Sequence, residues 1–165
     1  MSCELIGKTS RWSDPVPCAV SALFGTCDCC SMDDLRNGLI SHAKATIGGK
    51  EFTAGQRIRG RRCGSVITCV VGGQSYYGRV IRFFSSPCEY SLAMFAYVSW
   101  LGLPEYPFEG TPLVVKVRDD SVACPAPPIV SILDIDPSRV ACERCEKESA
   151  FYMYRLEGLD TIKNT

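Results

Sequence analysis

Between Ser75 and Trp100 the chain reads SYYGRVIRFFSSPCEYSLAMFAYVSW, two apolar, aromatic-rich runs joined by a polar connector that contains Pro87. Taken with a period of two, Tyr77, Ile81 and Phe83 fall on one side of residues 75–84, interrupted by Arg79. Tyr76, Val80 and Phe84 fall on the other, with Gly78 and Arg82. Both sides carry apolar bulk, so the pattern predicts a strand with neither face simply solvated. Its β-branched and aromatic residues suit a pleated, half-buried surface. Gly78 inside such a run signals a bulge or the close approach of a neighbour. The second run, Ala93 to Leu101, places Phe95 and Tyr97 on one face and Met94, Val98 and Trp100 on the other. A helix would also accommodate Leu92 to Val98. Tyr97, Val98 and Trp100, with stops at Gly102 and Pro104, favour a strand.

The same alternation continues on both sides. Phe52 to Ile58 leads in, and Gly64 to Val71 is a short, mostly β-branched run. Gly72-Gly73 then predicts a tight turn of the primed kind into the next strand. Leu103 to Gly110 reads as a loop bearing prolines and aromatics. Thr111 to Arg118 alternates most cleanly, with Leu113, Val115 and Val117 inward and Lys116 and Arg118 outward. Asp119 to Pro128 reads as a loop, Ile129 to Ile135 as a strand, Asp136-Pro137-Ser138 as a turn, and Val140 to Glu143 and Phe151 to Leu156 as the last strands. Residues 1–30 show little periodicity and read as a loose arm. Met32 to Ile47 is the one predicted helix: Ser31 caps it, Asp33 and Asp34 sit in its first turn, and Leu35, Leu39, Ala43 and Ile47 recur every four residues. Gly48-Gly49 would end it. The expected organisation is a loose Cys-rich arm with one helix over 1–48, a mainly β domain over 49–160, and a tail over 161–165. Some seven short strands with Gly and Pro turns suggest a small barrel or sandwich.

Composition narrows the function classes. In 165 residues, Lys plus Arg equals Asp plus Glu at 18 each, so the whole chain lacks the basic excess of a general nucleic-acid binder, although a local patch remains open. No apolar run reaches the ~18 residues of a membrane helix, and MSCELIGKTSRWSDP lacks the apolar core of a signal peptide. The expectation is an intracellular protein, nuclear or cytoplasmic. The 11 cysteines are odd in number and lack a secretion signal, so most are expected as free thiols rather than a disulfide scaffold.

Three groups of residues carry candidate chemistry. Tyr76, Tyr77, Tyr97, Trp100, Tyr106 and Phe108, with Glu105 and Glu109 nearby, could form an aromatic cage that holds a methylated ammonium by cation–π attraction. The plainer reading is that these rings fill a core. Arg57, Arg59, Arg61 and Arg62 precede the hairpin, and Arg79 and Arg82 lie within it; they could contact phosphates or an acidic partner, or keep a sheet edge charged. Cys142-x-x-Cys145 has the spacing of half a zinc site, with the partner half from Cys27, Cys29, Cys30 or His42. Two ordinary thiols at a hairpin explain it as well. Catalysis has little support: His42 is the only histidine, no phosphate-cradling glycine loop is present, and Asp134, Asp136, Asp119 and Asp120 suit turns as readily as a metal. No small-molecule substrate is evident.

From Glu51 onward the order of features resembles a BAH-like module, a chromatin-associated domain on a small SH3-like barrel. The resemblance lies in FTAGQRI (52–58), SYYGRVIRFFSS (75–86), MFAYVSWL (94–101), PPIVSILDIDPSRVACE (127–143) and FYMYRLEGLD (151–160). The "YGRV" and "YV.W" strings are also similar to segments of proteins encoded by eukaryotic transposable elements. The resemblance implies a small β-barrel with cages near strand ends. It also implies a non-enzymatic recognition module for a protein tail, such as a histone tail, or for DNA, in a chromatin or mobile-element context. The rival expectation is a zinc-stabilised structural or protein-interaction domain without a chromatin role.

Overall fold

The structure, a computed structural model, describes residues 2–11, 39–55, 64–86, 92–102, 104–108, 111–115, 126–141 and 150–155. It is mainly β, and every strand pairing in it is antiparallel. The strands are β1 (Cys3–Arg11), β2 (Ile40–Ile47), β3 (Lys50–Thr53), β4 (Val66–Val71), β5 (Gln74–Ser85), β6 (Met94–Trp100), β7 (Pro104–Phe108), β8 (Thr111–Val115), β9 (Ile129–Ser131), β10 (Arg139–Ala141) and β11 (Ala150–Arg155). A 3-10 turn spans Ile132–Asp134, capped by the Ser131 hydroxyl, which accepts from the Leu133 amide.

One sheet runs β1-β2-β5-β6-β9, with β3 added beside β2 and β4 beside β5; a second runs β10-β11-β8-β7. Among the described residues the sheets are open, not closed into the expected barrel. The two long predicted runs are strands β5 and β6, joined in register from Gly78 opposite Trp100 to Ser85 opposite Met94. Gly72 and Gly73, at φ 59° and 81°, make the two-residue turn between Val71 and Gln74. Positive φ at both central positions is what a primed hairpin turn requires, and only glycine enters it without a Cβ penalty.

Three expectations change. The helix predicted over 32–47 is, across residues 40–47, strand β2; residues 32–38 lie outside the described part. The four-residue recurrence at 39, 43 and 47 is real, but Ile40, Thr46 and Ile47 are β-branched, and β2 gains partners on both edges from β1, β3 and β5. Gly48-Gly49, at φ 58° and 82°, therefore caps no helix; it turns β2 into β3 as Gly72-Gly73 turns β4 into β5. Likewise 3–11, expected within a loose arm, form β1 along β2. The expected loop 103–110 contains strand β7. Its two prolines sit on the strand that ends the sheet path among the described residues, where a missing amide is tolerated, and the register slips between Glu105 and Phe108 around Pro107.

The main core joins Ala45 and Ile47 of β2, Phe52 of β3, Ile67 and Cys69 of β4, Val80 and Phe83 of β5, and Ala96, Val98 and Trp100 of β6, with Val130, Ile132 and Ile135 closing it. A smaller cluster, Leu39 and Phe84 with Phe95, Tyr97 and Ile129 against them, lies separately.

Candidate functional site

Residues directly opposite each other in an antiparallel pair share a face. Gly78 opposite Trp100, Val80 opposite Val98 and Phe83 opposite Ala96 form the core face of β5 and β6. Arg79 opposite Ser99, Arg82 opposite Tyr97 and Phe84 opposite Phe95 form the other. The register slips by one residue between Val80 and Arg82. That bulge corrects the simple alternation read from the sequence: Tyr76, Val80 and Phe83 lie together, and Tyr77, Arg82 and Phe84 lie opposite. The glycine signal has a separate cause. A Cβ at Gly78 would run into Val98 Cγ1 and Trp100 Cε3, so Gly78 marks close packing and the bulge comes after it.

Of the aromatic residues proposed as a cage, Tyr76 and Trp100 are brought together and Tyr97 is set on the other face. Trp100 is 8% exposed, and its indole N–H donates to the Pro127 carbonyl at 2.9 Å. Tyr76 meets it edge to face, with ring centroids 6.1 Å apart and planes at 60°. Its hydroxyl lies 3.4 Å from Gln74 Oε1, across one turn of the pleat. Both rings belong to the core face, where Tyr76 is partly buried. Tyr97 is three residues before Trp100 and lies on the opposite face, half-buried beside Phe84 and Ile129. Glu105 and Phe108 hold register positions on β7 opposite Leu113 and Thr111, with Tyr106 between them; their side chains lie outside what is described. Tyr77 is buried too, and its hydroxyl accepts from Arg139 Nη1 at 3.2 Å.

Of the six arginines, Arg57, Arg59, Arg61 and Arg62 lie outside the described residues, as do Cys142 and Cys145. Arg79 and Arg82 are brought to the same face as Tyr97. Arg79 Nη1 donates to the Gly64 carbonyl at 2.8 Å, and Arg82 Nη1 reaches Ser41 Oγ at 3.4 Å. Phe84 is fully buried and stacks on half-buried Phe95, centroids 5.5 Å apart and planes at 28°. The face is thus closed at its Phe84 end. Tyr77 is buried at its other end, and between the two Arg79, Arg82 and Tyr97 are partly buried and Ser99 is exposed. Sequence reading found these arginines and Tyr97 but assigned them to different sites, because it missed the bulge that puts Arg82 beside Tyr97.

The other titratable groups explain the fold more than a reaction. Asp136 Oδ1 accepts from the Ser138 amide at 2.9 Å and from its hydroxyl at 2.6 Å, the turn expected from Asp-Pro-Ser. Arg139 Nε lies 3.5 Å from Asp136 Oδ2, an ion pair without hydrogen-bond alignment. Burial lowers the Lys50 ammonium, and the Asp136 carboxylate partly counters it. Burial, helped by Asp134, pushes the Cys69 thiol up to about 12, so this cysteine behaves as a small hydrophobe. Burial also lowers His42, whose Nδ1 has no hydrogen-bond partner. Among the described residues no three His, Cys, Asp or Glu side chains gather to hold a metal, and no helix is long and apolar enough to cross a membrane.

Comparison with family models, with curated proteins and with solved structures finds no match for this chain.

Proposed function

We propose that this chain is a non-enzymatic recognition module that takes nucleic acid on the face of β5 and β6 opposite the core. The observation that carries the reading is the gathering of Arg79, Arg82 and Tyr97 on one sheet surface, with Ser99 exposed beside them. Guanidinium groups pair with phosphate oxygens through several parallel N–H donors, and a flanking ring offers a base a surface to stack on. The overall charge balance does not oppose this, because affinity follows the local cations at the contact. A methyl-lysine cage is less well supported: Tyr76 and Trp100 pack edge to face on the core side, away from Tyr97. The chromatin or mobile-element setting rests on the resemblance of the 75–86 and 94–101 strings.

The test is fluorescence anisotropy of labelled oligonucleotides at several salt concentrations, with methylated histone-tail peptides in parallel. Arg79→Gln and Arg82→Gln remove the charge, and because the shorter amides end short of the Gly64 and Ser41 oxygens, thermal melts accompany the binding curves. The double variant should bind more weakly and flatten the dependence of log K on log salt by roughly 1.4, at about 0.7 for each phosphate no longer neutralised. Peptide binding that requires the methyl mark, with nucleic-acid binding unchanged in the double variant, would replace this reading with the cage.

A further inference from the structure

We infer that β1 is a dimerisation strand: two copies of this chain join edge to edge through Cys3–Arg11, antiparallel about a twofold axis between Gly7 and Lys8. The inference is independent of what the face of β5 and β6 takes. β1 ends the path of the larger sheet, and among the described residues no strand pairs with its outer edge. It runs nine residues without a proline. Such an edge offers a row of amides and carbonyls to another strand. Which of them face outward follows from the hydrogen bonds of β2. The Gly48 amide donates to the Ser2 carbonyl, and the Ala54 amide donates to the Ala43 carbonyl. Even-numbered residues of β2 therefore bond toward β1 and odd-numbered ones toward β3. Thr46, Lys44, His42 and Ile40 stand opposite Glu4, Ile6, Thr9 and Arg11, so these residues of β1 spend their backbone groups on β2. Leu5 and Ser10 turn theirs outward. The register slip between Ile6 and Thr9 also sets the faces: Glu4, Ile6, Thr9 and Arg11 share one, and Leu5 and Ser10 share the other.

A second β1 laid antiparallel, with Leu5 opposite Ser10 of the copy, matches on each of these counts. The outward amide and carbonyl of Leu5 meet those of Ser10, and the axis repeats the pair. Side chains of one face then meet across the seam, Ile6 beside Thr9 and Glu4 beside Arg11 of the copy. Gly7 falls opposite Lys8 and, having no side chain, leaves it room. Glu4 and Arg11 are both exposed, and among the described residues no ion pair engages either. The strand thus carries its anion near one end and a cation at the other, which is self-complementary only when antiparallel. Charges and a bulge can also guard an edge against pairing, but a guarded edge sets like charges against its copy. Sliding the copy by one residue puts the faces out of step. Sliding it by two sets Glu4 opposite Thr9 or past the end of the strand, so charge selects the register.

Sedimentation velocity of the full chain across a concentration series should show a monomer–dimer equilibrium that weakens as salt rises. Glu4→Arg or Arg11→Glu alone turns both cross-strand ion pairs into repulsions and should weaken the dimer about fivefold or more. The double exchange should restore it. Mixing the two single variants should restore it too, because each pair between the chains again joins unlike charges. Ser10→Pro removes only an outward amide and should leave a monomer that melts at the native temperature. Glu4 and Arg11 are exposed, so the charge exchanges decide the matter even if Ser10→Pro fails to fold. A chain that stays monomeric throughout the series would overturn the inference. A dimer that survives Ser10→Pro, or that ignores the charge exchanges, would overturn it as well, since it would form through another surface.

Discussion

At the scale of single residues, two side-chain environments make sharp predictions. Gly78 has no positive φ to defend; what it lacks is room, since an added methyl would meet Val98 and the Trp100 ring. Overpacking of this kind costs about 1–3 kcal/mol, so Gly78→Ala should lower the thermal midpoint by several degrees. Because Val98 Cγ1 is the nearest obstacle, Gly78→Ala combined with Val98→Ala should destabilise by less than the sum of the two. Strict additivity in urea melts would refute the close-packing account. His42 gives a pH prediction. Burial holds its folded pKa below the ordinary value of 6.5, so between those two values the unfolded chain binds the proton more readily. Its contribution is therefore full above pH ~6.5 and is lost as the pH falls toward the folded value. Urea midpoints measured from pH 7.5 to 5 should drop more for the native chain than for His42→Gln. Parallel curves would mean that the Nδ1 atom is not as secluded as the structure has it.

At the scale of elements, legibility in the sequence depended on whether local pattern and tertiary pairing agreed. They agree in β4, β5 and β6, where apolar alternation, aromatic content and a Gly-Gly turn all specify a hairpin and its neighbour. They disagree at residues 40–47, where apolar spacing of four fits a helix face and pairing with three strands makes a strand instead. The overlooked signal was the second Gly-Gly pair: Gly48-Gly49 followed by the Lys50–Thr53 run has the same form as Gly72-Gly73 followed by β5. A one-residue bulge is harder to see, because nothing in Val80-Ile81-Arg82 announces it, and it alone regroups the arginines with Tyr97. The turn reading itself is open to test. At Gly72 an added Cβ meets nothing within 4 Å, so only backbone conformation restricts the site. Asparagine tolerates positive φ and valine does not. Gly72→Asn should leave the melting temperature nearly unchanged, and Gly72→Val should cost about 1–2 kcal/mol. Equal tolerance of both would argue that the turn is not of the primed type.

At the scale of the whole molecule, the question is whether the N-terminal residues are an appendage or part of the fold. Composition drew the expected boundary at Gly48, where cysteines and prolines give way to β-prone runs. Hydrogen bonding and packing cross it. β2 pairs with β3 and β5 on one edge and with β1 along the other. Ala45 and Ile47, both fully buried, pack in the same cluster as Phe52, Val80 and Trp100, and Cys3 and Leu5 of β1 lie against it. Removing residues 1–48 would strip β5 of a neighbour and uncover one side of that cluster. Lost burial of two side chains and a sheet edge together is far more than a surface deletion, and it exposes a pairing edge prone to association. A chain beginning at Gly49 should therefore lose its cooperative thermal transition and bind a hydrophobic dye, as a loosely packed state does. It should also lose the Arg82–Ser41 hydrogen bond that helps fix the cation opposite Tyr97, so binding through that face would fall along with cooperativity. A truncated chain that melted sharply at the native temperature would instead show that β1 and β2 are docked onto an independently folded unit, and the face of β5 and β6 would have to be orientated by β6 and β9 alone.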